Sequence, residues 1–303
     1  MQTQMYKEYD YVKCNDGIDK IVQKDMVIDG NVNISIHKNN DNLIFESDEP
    51  FLCFTVGDGY RIESGIEPFV LVGGCICIIK SIFSRNTKPK YKEGSKKRFE
   101  IPVNQIFRKI TAYNHAKVTF SKNTLDNNIE LKSDTHSKMY ICKTNFNKVN
   151  AVAYTHSRID FNDSVIHDLT VYSKTHSSVN NFSAVTCTAD ADTHSAIIFS
   201  PIMTGMYASL RSSNHSVIHL RNSRYHKTDA CANTHSTIDF GRSEIATLTV
   251  DSLSFSTVSN FHAVISCTVG ANTHSKIILA TVSPLCRYSE RIGSFSSVNI
   301  QTC

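Results

Sequence analysis

One tripeptide returns along most of the chain: Thr135-His136-Ser137, Thr155-His156-Ser157, Thr175-His176-Ser177, Thr193-His194-Ser195, Asn214-His215-Ser216, Thr234-His235-Ser236 and Thr273-His274-Ser275. Asn114-His115-Ala116 is a degenerate first copy, and Ser254-Phe255-Ser256 and Ser294-Phe295-Ser296 carry Phe at the centre. The central residues, His115, His136, His156, His176, His194, His215, His235, Phe255, His274 and Phe295, follow one another at steps of 21, 20, 20, 18, 21, 20, 20, 19 and 21 residues. A short fixed period of this kind is the signature of a solenoid, in which no single coil can bury its own apolar face and only the stack is stable.

Numbering each copy from its central ring as zero shows what the coil is made of. Position +3 is aliphatic throughout, from Val118, Met139 and Ile159 to Ile277 and Val298. Position +5 is Phe, Leu or Ile except at Asn181 and Asn260, where Phe182 and Phe261 follow one residue later, a shift that predicts a β-bulge. Position +1 is always Ser or Ala, position −3 is Ser or Ala in nearly every copy, and positions −7 and −5 are mostly apolar, as in Leu169/Val171 and Leu248/Val250. These offsets share one parity, so on extended strands they face one side. The expected fold is all-β: a single-stranded parallel β-solenoid (β-helix) of about ten coils of ~20 residues, bulky at both ends of each coil's interior and small near its centre. By the same parity Thr at −1 and Ser at +1 both point inward, and the rings point outward.

The rest of the chain divides around these repeats. Residues 1–23 form a weakly patterned lead-in. Residues 24–104 read as a β-rich section capping the solenoid, with strands expected at Val32–Ile36, Leu43–Glu46, Phe51–Thr55, Tyr60–Ile62, Phe69–Val72 and Cys75–Ile79. Residues 105–303 carry the repeats. Residues 85–98 hold seven basic residues against one acid, with Pro, Gly and Ser among them, and read as a solvated loop. A net charge of +4 and a pI near 8.4 are too mild for a specific nucleic-acid binder. No apolar run reaches the ~18 residues that span a bilayer. The first residues lack a basic-then-apolar signal, so a cytoplasmic or virion location is expected. Ten cysteines at irregular spacing, some at core positions, read as free, buried thiols, and Cys75-Ile76-Cys77 as alternate positions on one strand rather than a metal site.

Three chemical readings of the ring row stand beside a purely structural one, a column of flat rings that fixes register. Adjacent imidazoles could hold a metal ion, although a closed site needs three or four donors around one ion and a straight column offers two. The rings could be a contact surface for a glycan or a protein. Catalysis would need clustered acids on one face, whereas Asp160 and Asp239 share a repeat position four coils apart. No cofactor, catalytic residue or committed metal site is therefore expected, and Phe255 and Phe295, which can stack but cannot ligate, favour the structural column.

From about Lys24 onward the layout resembles the auto-transporter adhesin family with the head GIN domain. The resemblance rests on a strand pair like Val32–Ile36 and Leu43–Glu46, a charged loop, an entry segment Phe99-Glu100-Ile101-Pro102-Val103, and ~20-residue repeats of small residues followed by alternating apolar ones, as in Ser137-Lys138-Met139-Tyr140-Ile141. Family repeats centre on Gly where this chain has His or Phe. The resemblance implies a right-handed parallel β-solenoid without enzymatic activity, acting in surface adhesion or assembly. The expected function is thus a structural or interaction protein, adhesin-like or part of a virion or surface assembly, with Asn/Lys/Ile-rich composition pointing to an AT-rich genome such as that of a giant virus. The alternative is a carbohydrate-binding or carbohydrate-active β-helix of pectin-lyase type. The last repeat, Ser297–Cys303, has no polar capping sequence, so self-association through that coil is also expected.

Overall fold

The structure, a computed structural model, describes strands at Asp25–Asp29, Asn33–Asn39, Asn42–Ser47, Cys53–Val56, Val70–Val72, Cys75–Cys77 and Lys97–Pro102, then residues 107–122, 124–201 and 204–300. The lead-in, the strand expected at Tyr60–Ile62 and most of the basic loop lie outside the described residues. Every described element is β: parallel strands stack as a β-solenoid of about nine turns, the number that ten ring marks enclose. The chain divides into two compact units, Met1–Tyr140 and Ile141–Cys303.

In the first unit the solenoid begins at Phe107–Tyr113 and Lys117–Phe120. Asp25–Asp29 pairs in parallel with the first of these, and Asn33–Asn39 in parallel with the second. Beyond them pairing turns antiparallel: Cys53–Val56 lies on Asp25–Asp29, Asn42–Ser47 on Asn33–Asn39, and Lys97–Pro102 on Asn42–Ser47. A parallel edge met by antiparallel strands ends the coil stack on that side, because the added strands do not continue the coil path.

In the second unit the strands Asn145–Ala153, Arg158–Lys174, Ser178–Asp192, Thr204–Ser212, Arg224–Asn233, Thr237–Leu253, Thr257–Asn272 and Arg287–Ile292 pair in parallel, each with the next. Equivalent repeat positions face one another, as Leu169 with Cys187, Val171 with Ala189 and Ile159 with Val179. This register is what a buried face demands, since a one-residue slip would turn every apolar side chain outward. Ile159, Val179, Ile197, Ile218, Ile238, Val258 and Ile277 are fully buried, and Phe161, Phe182, Phe199, Phe240 and Phe261 form the largest interior side chains. Phe161 meets Phe182 edge-on at 5.9 Å and Phe240 meets Phe261 at 5.4 Å, an arrangement aromatic rings favour over a face-to-face sandwich.

The bulges expected at Asn181 and Asn260 are present. Both residues have left-handed φ, 58° and 62°, and the ladder register shifts beside each. The extra residue bends the strand and lets Phe182 and Phe261 reach the core. The five cysteines whose side chains the structure describes, Cys142, Cys187, Cys231, Cys267 and Cys286, are free. Burial was overestimated for three of them: Cys187 and Cys267 are interior, while Cys142, Cys231 and Cys286 are only half-buried. Burial pushes the Cys187 thiol well up and the Cys267 thiol up to about 12, so both stay protonated.

Candidate functional site: the outward ring row

The rings sit on a corner that the strand alternation does not foresee. In each copy the ring residue has a left-handed φ between 56° and 70°. In every copy but the last, where Ser294 precedes Phe295, the residue before it is left-handed as well, for example Thr135 at 48°, Thr155 at 38°, Thr234 at 52° and Asn214 at 53°. Two successive left-handed residues turn the chain sharply and break the period-two alternation. Thr at −1, expected inside, is therefore turned outward, and Thr155, Thr175 and Thr273 are exposed. The rings do face solvent, all ten of them, but because of the corner rather than an uninterrupted strand. Position +1 resumes the inward direction: Ala116, Ser137, Ser157, Ser177, Ser195, Ser216, Ser236, Ser256 and Ser275 are buried.

A left-handed conformation crowds Cβ against the backbone, and for β-branched Thr it is a true outlier, so the corner needs compensation. Two interactions supply it. The ring residue donates its N–H to the carbonyl at −1 of the next coil: His156 to Thr175 (3.0 Å), His176 to Thr193 (3.0 Å), His215 to Thr234 (3.0 Å) and His274 to Ser294 (3.1 Å). Inside the corner, the +1 hydroxyl donates to the carbonyl at −3 of the preceding coil: Ser137 to Ala112 (2.8 Å), Ser177 to Ala153 (2.8 Å), Ser216 to Ala191 (2.6 Å), Ser236 to Ser212 (2.6 Å) and Ser256 to Ala232 (2.7 Å). Where −3 is also Ser the two hydroxyls pair, as Ser173 with Ser177 (3.0 Å) and Ser212 with Ser216 (2.9 Å). The small inward residues are thus a hydrogen-bonded seam as well as a narrowing of the coil. The repeated Ser was visible in the sequence; its partner, one coil away, was not.

Identical corners one coil apart superpose their rings. In the second unit His156, His176, His194, His215, His235, Phe255, His274 and Phe295 stack in one unbroken series, with centroids 4.7–5.0 Å apart and planes within 18°. In the first unit His115 and His136 stack at 4.8 Å and 15°. Two consequences are chemical. A ring inside the series has both faces covered by neighbours, so what it offers outward is its edge; Phe255, stacked on both sides, is 51% exposed, and Phe295, which follows His274 in the stack, is 82% exposed. Two nitrogens bound to one ion at ~2.0–2.1 Å can stand at most ~4.2 Å apart. Like atoms of parallel rings at the observed spacing stand farther apart than that, so a shared ion would require two rings to swing out of the stack. Among the described residues no three His, Cys, Asp or Glu gather at metal-binding distance.

The acids considered for catalysis have local employment. Asp160 accepts from the Asn162 N–H (3.1 Å), from Asn181 Nδ2 (3.0 Å) and from Arg158 (2.5 Å). Asp239 accepts from the Gly241 N–H (3.0 Å) and Asn260 Nδ2 (2.8 Å), with His219 Nδ1 at 3.2 Å. Each closes a turn and ties it to the bulged Asn of the next coil. On the sheet that precedes the corner, Lys174 lies over Tyr154 and Tyr172, and Lys227 lies over Tyr207, whose hydroxyl donates to Asp229 (3.0 Å).

Fold and surface together define a parallel β-solenoid with an outward row of stacked rings. Compared with protein-family models, curated proteins and solved structures, the chain finds no match in any of the three. No helix among the described residues is long and apolar enough to cross a membrane.

Proposed function

We propose that the chain is a non-enzymatic structural or interaction protein, adhesin-like or part of a virion or surface assembly, whose ring row is its contact strip. The observation that carries this reading is the continuous stack from His156 to Phe295, exposed along its whole length on corners locked by internal hydrogen bonds. A rigid strip with one ring edge every ~4.8 Å is pre-organised, so a partner docking along it orders little on binding. The left-handed φ at the ring position also supports the resemblance to head GIN repeats, because it is the conformation their central Gly enters without strain.

Self-association belongs to the same reading. Among the described residues, Arg287–Ile292 and Ser297–Ile300 pair on one side, with Thr257–Asn272 and Lys276–Val282, and Leu285, Ile292, Phe295 and Ile300 are exposed there. An exposed strand edge beside apolar side chains is a template for another chain. Light scattering at tens of micromolar is expected to report a species larger than the monomer, and a strict monomer removes this part.

The alternative, a carbohydrate-binding or carbohydrate-active protein, draws on the Tyr, Lys and Asp groups of the flanking sheet, although Lys174 and Lys227 already cover those aromatic faces. A glycan array run with a reducing-sugar assay separates the readings. Binding lost on joint replacement of His176, His194, His215 and His235 by Ala, without sugar release, supports the ring strip; release of sugar supports the alternative.

A further inference from the structure

The coils are not equivalent to one another; they are equivalent every fourth coil. His156 and His235, and His176 and Phe255, lie 79 residues apart, and His194 and His274 lie 80 apart. Residues 156–185 match residues 235–264 at seventeen of thirty positions. At the thirteen positions where Arg158–Lys174 pairs with Ser178–Asp192, eight residues are identical 79 residues further on and one is identical in the neighbouring coil. The irregular features recur at the same interval. Left-handed Asn162 and Asp163 correspond to left-handed Gly241 and Arg242, and bulged Asn181 to bulged Asn260. The bond from Asn181 to Asp160 corresponds to that from Asn260 to Asp239. Ser164, which receives the Thr144 N–H at 3.1 Å, corresponds to Ser243, which receives the Ser223 N–H at 3.0 Å.

We infer that the solenoid is built from a 79-residue block of four unlike coils, and that this block, not the single coil, is the unit that can be removed or added. The reason is physical: each block carries its own inter-coil bonds between unlike coils. The Asp160 coil supplies the acceptor for the bulged Asn of the coil after it and, through Ser164, the acceptor for the coil before it. Removing one coil breaks both pairings, whereas removing a block rejoins each donor to the equivalent acceptor of the next block. Comparing blocks also sharpens the proposed function, on which this point rests. The columns beside the rings change character between blocks, Lys174 against Leu253, Asp192 against Asn272 and Arg158 against Thr237, while the ring position stays aromatic. Among the columns at the corner, the ring and the hydroxyl residue before it are the outward features that recur between blocks, and the ring is the aromatic one.

The test compares two deletions in the full chain. Deleting residues 157–235 joins His156 to Ser236 and removes one block; deleting residues 157–176 joins His156 to Ser177 and removes one coil. The block deletion is expected to keep a β-type circular dichroism spectrum and a urea midpoint within about 0.5 M of the parent, with the slope reduced in proportion to the smaller buried surface. The coil deletion is expected to lose about 1 M or more in midpoint, or the transition altogether. A third variant, repeating residues 157–235 in tandem, guards against a poor junction and is expected to fold with a steeper slope. Equal midpoints for the block and coil deletions, or loss of the transition in both the block deletion and the tandem variant, overturn the inference.

Discussion

The corner is where single residues decide most. Thr at −1 is a poor choice for a left-handed φ, and Asn already occupies that position at Asn114 and Asn214. Asn tolerates the region because its side chain does not branch at Cβ. Thr234→Asn is therefore expected to stabilise the protein by about 1 kcal/mol, read as a higher urea midpoint. Ser216 lies at the opposite extreme. Its hydroxyl meets the Ala191 and Ser213 carbonyls, the Ser213 N–H and Ser212 Oγ, all within a buried seam. Ser216→Ala takes away the partner of Ser212 Oγ, while the Ala191 and Ser213 carbonyls and the Ser213 N–H keep their backbone bonds, and it is expected to cost about 1 kcal/mol, with faster amide exchange at the same corner. Asp192 gives the corner a pH dependence. Partial burial pushes its carboxyl up, but hydrogen bonds from Asn214, Ser213 and Thr193 outweigh that and hold it below the usual carboxylate range. A carboxyl lowered by folding adds stability that is present above its unfolded value, near ~4, and is lost as pH falls through the folded value. Neighbouring Asp190 acts in the opposite sense, raised chiefly by burial, so its cost at neutral pH fades on protonation. Asp192→Asn is expected to lower the urea midpoint near about pH 7 and to leave it unchanged near about pH 2. An equal loss at both ends would assign its effect to packing.

At the scale of the element, one coil is held to others by a side chain crossing the interior. Tyr225 is buried, and its hydroxyl donates to the Ala184 carbonyl at 3.1 Å, 41 residues earlier. The ring passes so close under Gly205 that a Cβ there would stand 2.1 Å from Tyr225 Cε1. Gly205 is thus fixed by another residue's size rather than by its own backbone. Gly205→Ala is expected to cost about 1–3 kcal/mol, and most of that loss should vanish in a Tyr225→Ala background, where the colliding ring is gone. Additive losses in the double variant would show that the glycine is needed for a different reason. The sequence carried no sign of this contact: Gly205 and Tyr225 face one another at the same repeat position, but the residue type there changes from coil to coil, as in Ala184, Gly205, Tyr225 and Ile245. The aliphatic +3 column was plain for the opposite reason: the same interior site recurs in every coil, so Ile159, Val179 and Ile197 announce it together. The ring row was legible as a row, and its outward direction followed from parity. The left-handed corner that actually sets this direction left only Asn114 and Asn214 as traces, since Thr and His give no local signal for such a conformation.

Across the whole molecule, stability should be graded rather than uniform, because in a solenoid each coil is held mainly by its two neighbours. Coils within 176–280 have a paired strand on either side, fully buried aliphatics and a ring stacked on both faces. The segment 283–300 has, among the described residues, a paired neighbour on one side, and Arg287, Ser289, Glu290, Arg291 and Ile292 are all exposed. Opening that segment gives up one interface instead of two and little buried apolar area, so its opening free energy lies toward the low end of the range that local unfolding spans. Hydrogen exchange is expected to show amides of Arg287–Ile292 and Ser297–Ile300 exchanging about a hundredfold or more faster than those of Arg158–Lys174 and Thr237–Leu253. Self-association through the same coil would raise its protection with protein concentration, since a partner that binds only the closed form stabilises it by mass action. Protection of residues 287–300 equal to that of the central coils at every concentration would contradict the nearest-neighbour account, and protection that rises only with concentration would locate the contact between copies at this coil.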